Sequence, residues 1–322
     1  MINAAIVGLG RWGKNMVNAV QGKSERLRFI RGVVRHPEAV RDFAEQHDFE
    51  LSSDLAGVLA DPAVQAVVFA TPHSLHVEQI VAAAAARKPV LCEKPLALTR
   101  ADAERAVTAC KKAGVPLAVG HDKRFMASML ELQRVVASGV LGEILHIEAN
   151  SSNEVSRVAY SAWRESPAES PGGSMTATGV HLVDACVNLV GPLRRVQAQL
   201  MPRRPPPDVR DTVSVLLEFD NRATGVLCSV RPTPYFWRAH VFGANGSAEA
   251  IGPDEFVLRL SGAKPQRQTF DMIDTLRSEL DAFADAAAGR APYPITPAQI
   301  VDTIAAFEAI VNSMNTGAPA LV

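Results

Sequence analysis

Lys94 stands between Glu93 and Pro95, directly after the short apolar run 89–92. A lysine presented on a turn at the end of a buried strand can donate or accept a proton at a reacting hydroxyl. Near the start of the chain, Gly8-Leu9-Gly10-Arg11-Trp12-Gly13 follows the apolar run Ala5-Ile6-Val7 and precedes a helix-compatible segment, 14–21. A strand, a tight turn and a helix start in that order form a cradle for a pyrophosphate. Gly8 permits the turn, Gly10 lets the backbone approach the phosphates, Gly13 lets the helix pack on the strand, and the helix dipole faces the anion. Thr71-Pro72-His73-Ser74-Leu75-His76 follows another apolar run, 65–70. Its place after a strand puts it at the sheet edge that Glu93-Lys94-Pro95 also reaches, where open α/β folds bind ligands. Taken singly, each motif has a bland reading, such as an ordinary glycine turn or a solvated lysine beside a proline. Three of them at successive strand ends of one sheet point to a ligand site.

The elements that must hold these residues follow from the pattern around them. Residues 30–34 read as a second strand and 37–47 as a helix. The runs 65–70, 89–92 and 115–120 read as further strands, with a helix over 75–87. Thr99-Arg100-Ala101-Asp102 reads as a capping box opening a helix that Gly114 stops. Repeated βα units with nearly continuous apolar strands predict a parallel, doubly wound sheet over residues 1–120. From His121 onward the pattern changes. Strand-like segments at 144–150, 196–201, 212–219, 223–230, 239–243 and 256–260 alternate in a way that suits a sheet with two different faces. Helices are expected at 127–137, 175–189, 271–288 and 297–315, the last with Thr296 as cap and Pro297 at its first position. Pro205-Pro206-Pro207 reads as a rigid loop. The expected division is 1–120 and 121–322.

Composition narrows the class. A chain of 322 residues with 48% hydrophobic and 21% charged residues is globular and long enough for about two domains. A net charge of -1 gives no electrostatic reason to expect nucleic acid or an anionic membrane as partner. No apolar run reaches transmembrane length, and a first strand starting at residue 3 leaves no room for a signal peptide. Cys92, Cys110, Cys186 and Cys228 are widely spaced and read as buried free thiols of a reducing compartment. The eight histidines form no short-spaced cluster, so no metal site is expected, and the cysteines lack the spacing of a zinc-dependent alcohol dehydrogenase. A soluble, cytoplasmic protein is the expectation.

The end of the second strand bears on the choice of dinucleotide. In NAD-preferring domains an acidic residue there binds the ribose 2′-hydroxyl. In Gly32-Val33-Val34-Arg35-His36-Pro37, Val34 holds that position and Arg35 follows. A carboxylate would repel a 2′-phosphate, whereas an arginine pairs with it through two hydrogen bonds. NADP is therefore expected in preference to NAD, the alternative being that Arg35 is a plain strand-end arginine.

The chain resembles the Gfo/Idh/MocA family of nicotinamide-dependent oxidoreductases over nearly its whole length. The resemblance rests on Gly8 to Gly13, Thr71-Pro72 with His76, Glu93-Lys94-Pro95, Arg124-Phe125, Trp163-Arg164, Gly172-Gly173 and Gly179-Val180-His181. It implies an N-terminal Rossmann domain and a C-terminal α/β domain with an open, mostly antiparallel sheet. It also implies a substrate held between the domains, and a sheet that often serves as oligomer interface, hence a homodimer or homotetramer. With Arg35 added from the reading of the second strand, the cofactor-facing set is Gly8, Gly10, Arg11, Trp12, Gly13, Arg35, Thr71, Pro72, His76, Glu93 and Lys94. Lys94 matches the family's catalytic lysine, and His181 matches the histidine on the helix facing the substrate. His121, Arg124, Trp163, Arg164, Thr176 and His181 are the candidate contacts to a small-molecule substrate. Asp184, three residues past His181, either positions a partner or is a satisfied polar residue near the core. In one respect the chain departs from the family. Many members carry an aspartate four residues before the histidine, and here that residue is Ala177. The implied reaction moves hydride between a secondary alcohol of a sugar, cyclitol or related cyclic hydroxy compound and the nicotinamide. Two alternatives remain open: a glycosidase or lyase using tightly bound NAD, and a non-catalytic protein that senses the dinucleotide.

Overall fold

A computed structural model describes residues 1–153, 161–203, 211–231 and 233–322. The expected loop at Pro205-Pro206-Pro207 lies outside the described residues. The chain forms two compact units, Met1–Asp122 with Asp274–Val301, and Lys123–Ile273 with Asp302–Val322.

The first unit alternates strands and helices: β1 (Ile2–Val7), α1 (Arg11–Val20), β2 (Leu27–Val33), α2 (Arg41–Gln46), β3 (Glu50–Ser52), α3 (Leu55–Ala60), β4 (Ala66–Phe69), α4 (His76–Ala85), β5 (Val90–Glu93), α5 (Arg100–Ala113) and β6 (Leu117–Gly120). Among the described residues its sheet has six strands in the order β3-β2-β1-β4-β5-β6, and every pairing is parallel. Every residue of β4, β5 and β6 is buried, as strands covered on both faces require. The order reverses between β1 and β4, so the turns that follow these two strands flank the switch point where such sheets open a crevice. The capping box at Thr99 forms as expected: its hydroxyl accepts the Asp102 N–H at 3.2 Å, and Gly114 ends α5 at φ 70°. The expected helix at 37–47 is instead a 3₁₀ turn, Pro37–Val40, followed by α2.

A segment of the carboxyl-terminal half returns to this unit. The helix Thr275–Ala287 packs on α1 and buries Leu280, Phe283 and Ala284. Ser24 Oγ donates to Asp281 at 2.5 Å, and the Tyr293 hydroxyl donates to the Val119 carbonyl at 2.9 Å. Residues 274–301 thus belong to the same compact unit as 1–122. The apolar stripe of an amphipathic helix shows that it needs a partner surface, without showing which one.

The second unit holds α6 (Ala127–Ala137), β7 (Ile144–Ser152), α7 (Val180–Leu189), β8 (Leu193–Met201), β9 (Thr212–Phe219), β10 (Thr224–Val230), β11 (Phe236–Gly243), β12 (Gly246–Ile251), β13 (Glu255–Leu260), β14 (Gln266–Thr269) and β15 (Ala320–Leu321). Among the described residues its sheet has nine strands, ordered β14-β13-β12-β11-β7-β10-β9-β8-β15. β7 and β10 are parallel and the other pairs antiparallel. Along β9, Val213, Val215 and Leu217 are buried while Ser214 and Leu216 are exposed, so one face meets the core and the other does not. The open face carries Leu216, Val226 and an ion-pair ladder in which Arg238 meets both Glu148 and Glu249. Cys92, Cys110 and Cys186 are buried free thiols and Cys228 is a half-buried one. Among the described residues, no helix is long and apolar enough to cross a membrane.

Candidate active site

The three glycines of the first loop are glycine for different reasons. Gly8 has φ 94°, and a Cβ there would lie 2.5 Å from the Ala70 carbonyl oxygen. At Gly13 a Cβ would lie 1.9 Å from the Gly8 carbonyl oxygen. Both are demanded by the protein's own packing. At Gly10 nothing lies within 4 Å of the Cβ position, so no protein atom excludes a side chain. The space is left above the first turn of α1, whose amino end has no side-chain cap and no acidic residue in its first turn. Unpaired N–H groups, a helix dipole and open room are what a pyrophosphate needs, so the residues present fit a dinucleotide. Arg11 is exposed at this end. Arg35 is exposed just past β2 and forms no ion pair among the described residues.

The turns after β4 and β5 are tied to one another and to the glycine loop. Trp12 Nε1 donates to Glu93 Oε1 at 2.6 Å. His76 is fully buried, with Nδ1 3.0 Å from the Pro95 carbonyl oxygen and Nε2 3.0 Å from that of Thr71. Thr71 Oγ1 donates to Gln79 at 2.6 Å, and Pro72 begins the turn into His73–Leu75. Glu93 is buried so close to β6 that a Cβ at Gly120 would lie 2.7 Å from its Oε1. Its second oxygen accepts the Lys94 backbone N–H at 3.4 Å, and the Lys94 side chain is half-buried.

Burial lifts the Glu93 carboxyl to about 7. Asp122 adds to the rise, while Lys94 and the Trp12 hydrogen bond oppose it. The ordinary value is 4.5, so the folded-state value is raised. The contribution to stability is thus fully present below about 4.5 and lost as pH climbs through about 7. Glu93→Gln, which keeps an acceptor for Trp12 and carries no charge, should be more stable than the parent by on the order of 3 kcal/mol at pH 8.5. The gap should narrow to under about 1 kcal/mol at pH 5. Urea unfolding at the two pH values measures it, and an equal difference at both would rule out a raised carboxyl.

In the second unit, the Arg124 guanidinium forks onto Asp184, with Nε and Nη2 donating at 2.7 and 2.8 Å, while Nη1 donates to Asn188 at 2.6 Å. The arginine and aspartate side chains are 4% and 3% exposed, so this is a buried strut holding the segment before α6 to α7. His181 lies on α7 one turn before Asp184 and is buried. The expected helix at 175–189 begins instead with a π-turn, Met175–Gly179, in which the Val180 N–H donates to the Met175 carbonyl five residues back. Such widened turns are rare and frequent at functional sites. A Cβ at Gly179 would lie 2.3 Å from Met175 Sδ, so the Met175 side chain packs directly over this glycine. Thr176 is buried and its Oγ1 accepts the Gly172 N–H at 3.0 Å, whereas Ala177 and Thr178 are half-exposed. Arg164 stacks on the neighbouring Trp163 ring, 4.4 Å from its centroid. His121, in the first unit, is buried beside Asp122.

The structure thus assembles Gly8, Gly10, Trp12, Gly13, Thr71, His76, Glu93 and Lys94 at one sheet edge. The Trp12–Glu93 hydrogen bond, the His76–Pro95 contact and the strut from Arg124 to Asp184 span 81, 19 and 60 residues, so no local spacing signalled them. Among the described residues, no group of three His, Cys, Asp or Glu side chains could hold a metal ion.

Residues 2–121 match the model of the oxidoreductase family with NAD-binding Rossmann fold, and residues 129–249 match the Gfo/Idh/MocA C-terminal domain. The chain belongs to the Gfo/Idh/MocA oxidoreductase family. It is 32% identical to inositol 2-dehydrogenase 2 of Saccharopolyspora erythraea, covering 100% of this chain and 95% of that one. It is 29% identical to an NADP(+) scyllo-inositol 2-dehydrogenase of Bacillus subtilis, over 58% of this chain and 50% of that one. The structure of levoglucosan dehydrogenase with NADH and levoglucosan superposes with a TM-score of 0.88 at 23% identity, covering 100% of this chain and 99% of that one, a likeness of fold. This Gfo/Idh/MocA member is an NAD(P)-dependent dehydrogenase acting on CH–OH groups.

Proposed function

We propose that this dehydrogenase interconverts a secondary alcohol and a ketone on a sugar, a cyclitol or a related cyclic hydroxy compound, with NADP preferred over NAD. The observation that carries the reading is Lys94, half-buried on the β5 turn that Glu93 joins to the glycine loop through Trp12. When bound, the dinucleotide supplies carbon 4 of its nicotinamide as hydride acceptor or donor. Lys94 takes the hydroxyl proton during oxidation and returns it during reduction. The inositol dehydrogenase relative supports a polyhydroxylated ring as substrate. His181, His121, Trp163 and Arg164 are the proposed substrate contacts. Arg124 and Thr176 are the further proposed contacts, Arg124 held by Asp184 and Asn188 and Thr176 accepting the Gly172 N–H. The exposed face of the second sheet, with Leu216 and Val226, supports assembly into a dimer or tetramer.

Absorbance at 340 nm tests the reading, with sugars, cyclitols and hydroxy acids offered to NADP and NAD in parallel. Reduction of NADP by a cyclic polyol is expected. Silence across the panel, with dinucleotide binding intact, would remove the proposed substrate class. Val34 stands where an NAD-binding carboxylate would, and the exposed Arg35 supports pairing with a 2′-phosphate. Arg35→Ala should weaken NADPH binding about 10- to 100-fold, the worth of hydrogen bonds to a charged group, and NADH binding by under about threefold. Equal losses for both dinucleotides would overturn the NADP assignment.

A further inference from the structure

We propose that Trp12 and His76 are positioning residues that grip the Lys94 turn from both sides and so tie the place of the acid–base group to the glycine loop. The proposal rests on the reading of Lys94 given above. The residue before Lys94 is held by its side chain: Glu93 Oε1 accepts the Trp12 indole N–H at 2.6 Å, from inside the loop bounded by Gly10 and Gly13. The residue after Lys94 is held by its backbone: the Pro95 carbonyl lies 3.0 Å from His76 Nδ1. The other ring nitrogen of His76 lies 3.0 Å from the Thr71 carbonyl, which fastens the β5 turn to the β4 turn. A neutral imidazole donates to one of these oxygens and an imidazolium to both.

Nothing in the pyrophosphate cradle asks for tryptophan at position 12. The loop needs small residues at 8, 10 and 13, and position 12 is a free choice in that pattern. What position 12 does meet is the buried Glu93 carboxyl, whose Oε1 it supplies with a donor. The indole N–H is a donor that cannot accept or ionise in the working range, so it favours the carboxylate form without competing for a proton. The groups facing Glu93 are Lys94 on its own turn, the Cys92 thiol beside it, Trp12 from α1 and Asp122 beyond β6. A glycine loop that shifts when a dinucleotide seats would therefore move Glu93, and Lys94 with it. Misplacing a catalytic group by about 1 Å costs on the order of 100-fold in rate, so the grip carries catalytic weight without touching substrate.

Two measurements test this. In the first, no dinucleotide is present. The indole N–H resonance of Trp12, identified by its loss in Trp12→Phe, is followed from pH 5 to 9. One titration step is expected, absent in Glu93→Gln, and a Trp12 resonance that ignores pH overturns the proposal. In the second, Trp12→Phe and His76→Gln are assayed with the substrate found in the 340 nm screen. A kcat about 10- to 100-fold below the parent is expected at saturating dinucleotide, with the alcohol KM within about threefold. A parental kcat in both variants overturns the proposal. A parent chain that turns over nothing would fail the dehydrogenase reading of Lys94 and with it the positioning role, while the indole titration would still decide whether the Trp12 tie exists.

Discussion

Lys94→Ala lowers kcat by at least about 100-fold while NADPH affinity stays within about threefold. The size follows from the role. A positioned proton donor or acceptor is worth about 10² to 10⁴ in rate, and alanine leaves water as its replacement. Lys94→Arg separates proton transfer from simple charge. A guanidinium keeps the positive charge but does not give up its proton in the working pH range. If Lys94 moves the hydroxyl proton, Lys94→Arg is nearly as slow as Lys94→Ala. If the charge only binds substrate, Lys94→Arg keeps most of the rate and the alanine loss appears in KM. Steady-state kinetics of the two variants with the same alcohol decide between these outcomes, and unchanged turnover in Lys94→Ala would remove Lys94 from the mechanism.

Asp184→Ala destabilises the second unit by about 3–5 kcal/mol. The substitution takes two charge-assisted hydrogen bonds from an Arg124 guanidinium that is 4% exposed. The loss is that of breaking a buried pair from one side, rather than the net value of the ion pair. The double variant Arg124→Met with Asp184→Leu tests that distinction. It removes both charges and fills a similar volume, so it should recover most of the lost stability. Urea denaturation of the three chains measures both effects. A loss under about 1 kcal/mol in Asp184→Ala, or a double variant no better than the single one, would show that the pair is not buried as described.

Much of the dinucleotide cradle was legible in the chain. The path from Val7 through Gly8 and Gly10 to Gly13 is local, because the steric limits on a tight turn and a helix start act within a few residues. The same locality made the Thr99 cap and the Gly114 stop readable. The parallel order of the first sheet followed from repeated βα units with fully apolar strands. The second sheet was harder. Gln266–Thr269 is wholly exposed and carries no apolar alternation, so β14 left no pattern to find. The three-residue β3 and the two-residue β15 are too short to show a period.

The reading of single side chains divided in the same way. Lys94 stood out because its flanking residues mark a turn after a strand. Arg124 was a candidate ligand contact because the cluster 121–125 follows the last strand of the first sheet. Its partners Asp184 and Asn188 lie 60 and 64 residues away, and packing against α7 brought them within reach. Thr176 was a candidate polar contact because Ala177 cannot supply one, and only the folded turn shows its Oγ1 accepting the Gly172 N–H. Sequence by itself determined most of the longer elements, the dinucleotide loop and the candidate proton carrier, because backbone sterics, caps and turn chemistry are settled within a few residues. Tertiary structure alone decided that Thr275–Ala287 returns to the first unit, that Trp12 holds Glu93, and that the Glu93 carboxyl sits near neutrality. Each of these depends on which distant surfaces exclude water from one another, and a local pattern cannot specify that.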